Sequence, residues 1–551
     1  MKRKKVLQKL MAMGMSLIMA VSVAACGSAA DTTKEAESAP SAEKSSETKA
    51  EDTKTAETET ETAESEAEGE PVEISIAIWG AGEFLVGDEV QTGIEEKLNI
   101  KLTPVHVTWD DYTQKNQLWA ASESLPDIFI DCFRTRSSYP EFISQGLLKE
   151  IPENLDAYPN LKEYLSGEAA QNAKLNGKLY CLPRQTYPSQ EWTVVDRTII
   201  YRWDLAQKAG WEKEPENWDE FQQMMKDIMA ADPDGTGIGG MTADGKATLG
   251  GTIMPYASPY ACENGMVFKW IMGEDGNWIP AYFTEDTLAG FQLARDMYDS
   301  GVIDKDIALV SGSTGVEKFL QGKSAAVAVC GGFHASFSSM GRYWKEVHGT
   351  EYLDDVRALD VMPDVNGNPS YAVWDYAWSE SYINANVDDV KLDKILQLWD
   401  YLLSEEGSYV SLYGPEGELW DMVDGKVVMH DDGVVVSDIY PSTGALGVLA
   451  RWNPNAYDDR FVTTDPVDYY AIDLERVEQA SAVKLPEYNQ RCTELVMELD
   501  INFAVSFDED FLALMTGEAP VEDMWAELCA QYEQDGLSDM IKQVNEALVE
   551  E

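Results

Sequence analysis

The chain has 551 residues, of which 44% are hydrophobic, and it carries a formal net charge of -56 at pH 7. Because this length exceeds what one hydrophobic core organises, we expect two or more domains. The charge argues against nucleic acid as a partner, since phosphates would be repelled, and against adhesion to anionic lipid. The acidity is equally explained by the need to keep a secreted surface soluble.

The first 25 residues have the pattern of a secretion signal. A basic stretch at residues 2–5 precedes an apolar run at residues 10–25, which is too short to span a membrane comfortably. The run ends in Val-Ala-Ala-Cys-Gly, which resembles a bacterial lipobox, where the cysteine (here Cys26) is acylated after cleavage just before it. The alternative is an ordinary signal peptide with an incidental cysteine. We expect a lipoprotein held on the outer face of the cytoplasmic membrane by lipid on Cys26.

Residues 26–70 form a low-complexity stretch of mainly Ser, Thr, Ala, Glu, Asp and Lys. Without aromatic residues to bury, such a segment is expected to be a disordered acidic tether. Roughly forty residues of flexible chain have a root-mean-square span of about 35 Å. The six cysteines beyond Cys26 are scattered without a CxxC pair, which predicts neither a disulfide framework nor a metal cluster.

The folded part begins near residue 71 with alternating strands and helices. Strands are predicted at residues 72–79, 100–107 and 127–131, with helices at 92–98 and from Asp110 to residue 121. This order predicts a mainly parallel sheet in an α/β fold. Ligands of such sheets sit beyond the carboxyl ends of the strands, which places Trp79 and Asp131 at a candidate site.

Residues 176–221 read as a crossing between two structural units. An Asn-Gly turn at 176–177 leads to a short strand stopped by Pro183. A polar and aromatic connection then carries Arg184, Glu191 and Trp192, and a second apolar strand is predicted at residues 194–201. Because clefts at such junctions are common ligand sites, these three side chains are candidates for ligand contact.

The helix after this crossing has a clear start signal and a clear apolar face. Asn217 is followed three residues later by Glu220, which is a capping-box pattern. Apolar residues then recur with helical spacing, which predicts an amphipathic helix. They are Trp218, Phe221, Met224, Met225 and Ile228.

Several short motifs in one order resemble bacterial extracellular solute-binding proteins, family 1, which capture ligands for ABC importers of sugars. The matching pieces are N-G-K-x-Y-x-L-P at 176–183, Y-R-x-D-x-x-x-K-x-G at 201–210 and W-D-E-F at 218–221, then G-K-x-A-A at 322–326 and Y-G-x-E-G at 413–417. The resemblance implies a two-lobed type II periplasmic-binding-protein-like fold with hinged α/β lobes and extra C-terminal helices. Lobe 1 would comprise residues 71–190 and 372–410, and lobe 2 residues 191–371 and 411–551. The partners implied are a carbohydrate and an ABC permease, and we expect a monomer.

Two later segments supply further candidates through the same resemblance. Phe333 follows the G-K-x-A-A strand, at the place where maltose-binding relatives carry a ligand-stacking aromatic. Trp374, Tyr376 and Trp378 alternate along a predicted strand and would share one side of it. For all four aromatic residues, burial in the core is the alternative.

Residues 231–237 contain a possible calcium loop. Relatives often carry such a loop, and in some it binds Ca²⁺. Asp232, Asp234 and Thr236 would supply oxygens at alternate positions, which suits a hard cation. The carboxylates expected further along are absent, so a plain turn that ends the helix is the alternative. No other cofactor is predicted.

The sequence gives little support to an enzyme. It has four histidines and neither an H-E-x-x-H nor a G-x-S-x-G motif. Carboxylates are abundant, but their number alone does not identify a catalytic pair. A secreted glycoside hydrolase or lyase, or a surface carbohydrate-binding adhesin, remains the alternative to a substrate-binding subunit that captures an oligosaccharide or another carbohydrate. No catalytic residue is predicted.

Overall fold

In the computed structural model, residues 69–135, 138–262, 265, 269–310, 313–431, 434–457, 460–461 and 467–550 are described. The predicted signal peptide, the lipidation site Cys26 and all but the last two residues of the predicted tether lie outside these ranges. None of the helices in the described ranges is both long and apolar enough to cross a membrane.

The described strands form two larger sheets and two hairpins. In chain order the strands are β1 Val72–Ala77, β2 Ile100–Pro104, β3 Ile128–Asp131, β4 Cys181–Gln185, β5 Arg197–Arg202, β6 Gly239–Ala243, β7 Trp270–Met272, β8 Trp278–Pro280, β9 Ser324–Cys330, β10 Val356–Ala358, β11 Ala377–Ile383, β12 Trp420–Val423 and β13 Lys426–Met429. The first sheet has the order β2-β1-β3-β11-β4 and the second β10-β5-β9-β6. In the first, β1, β2 and β3 run parallel while β11 is antiparallel to both of its neighbours.

Helices cover both sheets and make up most of the C-terminal region. The longer helices are Glu89–Leu98, Tyr112–Ala121, Ser138–Ser144, Pro159–Leu165, Trp203–Lys208, Trp218–Ala231, Lys246–Ile253, Glu285–Asp299, Thr314–Leu320, Arg342–His348, Asp389–Leu403, Glu405–Tyr413, Val467–Ser481, Gln490–Glu498, Phe507–Thr516, Val521–Gln534 and Leu537–Glu550. Shorter ones are Ala81–Phe84, Glu168–Gln171, Thr193–Asp196, Gly332–Ser336, Tyr352–Asp355, Val436–Ile439, Thr443–Leu446 and Pro454–Tyr457.

Two large hydrophobic cores correspond to two lobes. The first surrounds the sheet that contains β1, and the second surrounds the sheet that contains β5 and includes the last four helices. The chain passes between the lobes at residues 186–196, at residues 359–376 and between Trp452 and Tyr457. We call these segments the first, second and third crossovers. The predicted two-lobed α/β fold with extra C-terminal helices is confirmed.

The third crossover changes the predicted lobe boundaries. Residues 411–551 were expected in lobe 2, but residues between 440 and 452 are buried in the core of lobe 1. Hydrophobic periodicity marks a residue as buried without saying against which core it packs, so this boundary could not be read from the pattern.

Local signals were accurate where they were strong. The helix Trp218–Ala231 begins where predicted, with the Asn217 side chain accepting a hydrogen bond from the Glu220 amide at 2.9 Å, and it buries the predicted apolar face. The short strand before the first crossover differs, because β4 continues through Pro183 to Gln185. The apolar run at 194–201 divides into a helical turn, Thr193–Asp196, and β5.

Candidate ligand-binding cleft

The carboxyl ends of the first sheet carry a cluster of four tryptophans. Trp79 follows β1, and its ring is stacked on that of Trp109 with the centroids 4.0 Å apart and the planes 9° from parallel. Trp378 lies 5.4 Å and Trp452 lies 5.5 Å from Trp79, centroid to centroid. We call these four residues the tryptophan wall.

Only part of the wall presents ring surface to a ligand. Trp79 is 4% exposed and Trp452 is 6% exposed, whereas Trp109 and Trp378 are half-buried. With Trp109 stacked on one face of Trp79, the Arg184 guanidinium, 4.6 Å from the ring centroid, covers the other. Trp79 therefore supports the wall, and Trp109 and Trp378 offer its accessible faces.

Two predicted polar contacts also lie behind the wall. Arg184 is fully buried, donates from Nη1 to the Val448 carbonyl at 2.9 Å, and donates from Nη2 to the Ser379 hydroxyl. Burial lowers the pKa of Arg184 to about 10. Asp131 is fully buried and accepts a hydrogen bond from the Asn116 amide at 2.7 Å. The expectation that Arg184 and Asp131 face the ligand is therefore wrong, since both are buried beneath the wall.

Lobe 2 carries a group of buried charged side chains where β5 begins after the first crossover. At its centre Arg197, the first residue of β5, forms an ion pair with Asp196 and donates to the Cys330 sulfur at 3.1 Å. Tyr457 of the third crossover donates to Asp196 at 2.7 Å, and the Cys330 amide donates to Asp244 at 2.8 Å. Burial raises the pKa of Asp244. We call Asp196, Arg197 and Asp244 the lobe 2 charge cluster.

The three aromatic candidates at alternate positions, Trp374, Tyr376 and Trp378, do not share a face. Trp374 lies 4.9 Å from the Arg197 guanidinium, measured to the ring centroid, and packs against lobe 2. Tyr376 belongs to the second crossover, where its carbonyl accepts from the Thr186 amide at 2.7 Å. Because β11 begins only at Ala377, Trp374 and Tyr376 are outside the pleated strand and the alternation rule does not apply to them. Trp378 alone joins the tryptophan wall.

Phe333 is a core residue. It is fully buried, and its ring packs 5.4 Å from those of Tyr352 and Tyr469. The interpretation of Phe333 as a ligand-stacking residue is therefore wrong in this structure. Gly331 and Gly332 at the end of β9 adopt positive φ angles of 92° and 78°, and this turn sends Phe333 into the lobe.

Glu191 and Trp192 lie on the first crossover and are half-buried. The ring of Trp192 is stacked on that of Tyr470 at 6.1 Å. Together with burial, the charge of Glu191 raises the pKa of Tyr371 on the second crossover to about 12. Both side chains are placed at the junction between the lobes, and ligand contact by either stays a prediction.

A chain of buried charges joins the two lobes through the second crossover. Lys269 of lobe 2 contacts Asp375 with Nζ and Oδ1 2.5 Å apart, and Arg134 of lobe 1 approaches Asp375 at 3.9 Å and Glu380 at 3.8 Å. Burial would raise the pKa of Asp375, but the charges of Lys269 and Arg134 hold it below its usual value. Burial raises the pKa of Glu380 to about 7. We call these four residues the interlobe bridge.

The predicted calcium loop is closed by hydrogen bonds of its own. The Asp232 carboxylate accepts from the amides of Thr236 and Gly237, each at 3.0 Å, and these bonds lower its pKa despite the effect of burial. Asp234 forms an ion pair with Lys208 at 3.2 Å. In the described part of the chain, no three His, Cys, Asp or Glu side chains are grouped to hold a metal ion. Calcium binding by Asp232, Asp234 and Thr236 stays a prediction.

Sequence reasoning missed the residues that complete the cleft. Trp109 and Trp452 lie outside regular strands, and Asp196 and Arg197 were absorbed into a predicted apolar strand. A charged Asp-Arg pair inside an otherwise apolar run was the available signal, since buried charges occur where they are paired.

Comparison with known proteins agrees with this architecture. A family model described as bacterial extracellular solute-binding protein matches residues 92–412, which is more than half of the chain. The lipoprotein LipO of Bacillus subtilis is 23% identical over 338 residues, which cover 58% of this chain and 62% of that protein.

Solved structures show the same fold at low sequence identity. The alginate-binding protein AlgQ2 has a TM-score of 0.67 at 18% identity, covering 87% of this chain and 98% of AlgQ2. FusA of S. pneumoniae, solved with kestose, has a TM-score of 0.63 at 15% identity, with 87% and 98% covered. The N-glycan transport protein NgtS of Streptococcus pneumoniae, solved with Man5GlcNAc, has a TM-score of 0.55 at 17% identity, with 87% and 99% covered. The chain belongs to the bacterial extracellular solute-binding protein family.

Proposed function

We propose that this protein is the extracellular substrate-binding subunit of an ABC importer, which captures a carbohydrate between its lobes and delivers it unchanged to a membrane permease. The observation that carries the proposal is the tryptophan wall of lobe 1 on one side of the crossovers and the lobe 2 charge cluster on the other. Sugars have apolar ring faces and hydroxyl edges, and this pair of surfaces complements both.

The polar atoms of the cleft support a ligand rich in oxygen. Several buried nitrogen donors have no hydrogen-bond partner among the described residues, and a buried donor left unpaired is unfavourable. They include Trp79 Nε1, Trp374 Nε1 and Arg134 Nε. Sugar hydroxyls would supply acceptors for those donors that the closing lobes bring to the ligand.

The solved relatives add support of a different kind. AlgQ2 is an alginate-binding protein, and FusA and NgtS were solved with kestose and Man5GlcNAc, which are carbohydrates. The family is one of solute-binding proteins rather than enzymes, so release of an intact ligand is proposed instead of hydrolysis.

The arrangement suggests how capture would work. A ligand stacked on Trp109 and Trp378 and hydrogen-bonded to lobe 2 contacts both lobes only when they are closed, so it would shift the population toward the closed state. The closed form would then dock on the permease. We further propose that the protein is a monomer held at the membrane by lipid on Cys26, with residues 26–70 linking the lipid to the folded lobes.

The test is a thermal-shift screen with mono- and oligosaccharides, in which a specific ligand raises the midpoint of unfolding. Trp109→Ala should abolish the shift produced by the best ligand. Trp119→Ala is the matched control, because Trp119 is also half-buried in lobe 1 but lies outside the wall. A shift that survives Trp109→Ala, or breakdown of the sugar during incubation, would contradict the proposal.

A further inference from the structure

We infer that the cleft is built for an uncharged carbohydrate and discriminates against sugars that carry carboxylate or phosphate groups. This inference rests on the proposed function and narrows its ligand class. It is drawn from the pairing of four buried cationic side chains around and beneath the cleft, which are Arg134, Arg184, Arg197 and Lys269.

Two of these cations are neutralised by carboxylates of the protein itself. Arg197 forms its ion pair with Asp196, and both side chains are less than one-tenth exposed. Lys269, with a side chain 3% exposed, contacts Asp375 at 2.5 Å. A ligand carboxylate would have to displace a protein carboxylate already held in place, which gains little over the existing pair.

The other two cations already direct their Nη groups at acceptors of the protein. Arg134 donates from Nη2 to the Asn172 carbonyl at 3.2 Å and lies 3.8 Å from Glu380 through Nη1. Arg184 uses Nη1 for the Val448 carbonyl and Nη2 for the Ser379 hydroxyl. Recognition of a carboxylate or phosphate by arginine depends on two parallel donors. Both Nη groups of Arg184 already donate to protein acceptors, and in Arg134 one Nη donates to a carbonyl while the other faces the Glu380 carboxylate.

The remaining edge of Arg197 is covered by protein. An added Cβ at Gly251 would lie 3.1 Å from Arg197 Nε and 3.0 Å from Trp374 Cζ2. The helix Lys246–Ile253 therefore packs against this edge of the guanidinium, and the Trp374 ring lies 4.9 Å from it. A ligand anion cannot approach Arg197 along the Nε edge without moving this helix.

Carboxyl groups around and beneath the cleft outnumber the four cations named above. They are Asp131, Asp196, Asp244, Asp375, Glu380 and Glu191. A buried anion brought among them without a free cation would be repelled at short range, where the effective dielectric is low. The tryptophan wall adds nothing for an anion, since aromatic faces are the negative pole of the ring. An unpaired buried charge is expected to weaken binding at least about 100-fold.

The test is isothermal titration calorimetry with sugars in matched neutral and acidic pairs. One pair is a β-linked mannose oligomer and a mannuronic acid oligomer of the same linkage and length, and galactose with galacturonic acid and glucose with glucuronic acid supply others. We expect a neutral member to bind, with its acidic partner at least about 100-fold weaker. We also expect the dissociation constant of the neutral ligand to change less than about twofold between low and high salt, because screening acts on charges.

A charge-releasing variant makes the test independent of how tightly any one sugar binds. Asp196→Asn removes the carboxylate paired with Arg197. The ratio of the dissociation constants of the acidic and the neutral sugar should therefore fall at least about tenfold. Asp375→Asn, which removes the carboxylate paired with Lys269, serves if the first variant does not fold. Asp156→Asn is the control, since Asp156 is exposed and pairs with Lys162 away from the cleft, and it should leave the preference unchanged.

The outcomes separate this inference from the function on which it rests. An acidic sugar that binds as tightly as its neutral partner, or a preference unaffected by both charge-releasing variants, overturns the inference and leaves carbohydrate capture intact. Failure of every sugar to bind overturns the proposed function and the inference together.

Discussion

Breaking the interlobe bridge at Lys269 is the perturbation for which the structure gives the clearest expectation. Lys269→Met keeps most of the side-chain volume and removes the charge that contacts Asp375 at 2.5 Å. Among the cations that the structure describes, Asp375 then keeps only Arg134, at 3.9 Å, as an ion-pair partner. Removing one partner of a buried ion pair costs about 3–5 kcal/mol. Because the Asp375 side chain is 19% exposed and retains Arg134, we expect the lower end, about 3 kcal/mol in the free energy of unfolding.

The assay is urea denaturation in a double-mutant cycle. The free energy of unfolding is measured for the wild type, Lys269→Met, Asp375→Asn and the double variant. The loss in the double variant should be smaller than the sum of the two single losses by about 2 kcal/mol. The Lys162–Asp156 pair is a matched control, with side chains 60% and 75% exposed, and Lys162→Met should show no measurable coupling to Asp156→Asn.

The same variants report on lobe closure. Lys269 belongs to lobe 2 and Arg134 to lobe 1, so the pair at Asp375 stabilises the lobes in contact. If about half of the 3 kcal/mol destabilises the closed form relative to the open form, ligand affinity decreases about tenfold, since 1.4 kcal/mol corresponds to a factor of ten. Additive losses in the cycle, together with an unchanged ligand affinity, would refute the role given to the bridge.

Three further predictions concern substitutions of single residues. Phe333→Ala should lower the free energy of unfolding by about 3–5 kcal/mol, because it leaves a cavity in a fully buried site, and calorimetry on the folded fraction should find the sugar affinity unchanged. Burial raises the pKa of Glu380 from 4.5 to about 7, so the native state keeps this proton at pH values where the unfolded chain has lost it. The free energy of unfolding should therefore decrease as the pH rises from about 4.5 to 7. Glu380→Gln should remove this part of the slope in urea titrations across that range, and an identical slope in the variant would be evidence against it. Asn217→Ala should lower the free energy of unfolding by about 1 kcal/mol through loss of the cap on the helix Trp218–Ala231, as measured in urea, with ligand affinity serving as the unaffected control.

Those parts of the fold that depend on neighbouring residues could be predicted from the sequence. The capped helix at 218–231 and the strands of the first sheet carry their own periodicity, start signals and stop signals. Asp110 shows the limit of such signals: the helix it was expected to cap starts at Tyr112, and Asp111 accepts from the Thr108 amide instead. A shift of one residue at a helix end is within the ambiguity of local patterns.

The cleft was harder to predict because its parts are distant in sequence. Trp79 and Trp378 were found from their places at strands, while Trp109 and Trp452 reach the same cluster from segments without regular periodicity. Phe333 shows the opposite error, since a motif fixed its position along the chain but not the direction of its side chain after two glycines with positive φ. Side-chain direction depends on the backbone turn and the packing around it, which a linear pattern does not contain.

Capture of a carbohydrate between the lobes is tested most directly by a crystal structure of the protein with the neutral oligosaccharide that gives the largest thermal shift. We expect sugar rings packed on the open faces of Trp109 and Trp378, with at least one hydroxyl accepting a hydrogen bond from the lobe 2 side of the cleft. A sugar bound on the outer surface of either lobe, with the tryptophan wall untouched, would contradict it.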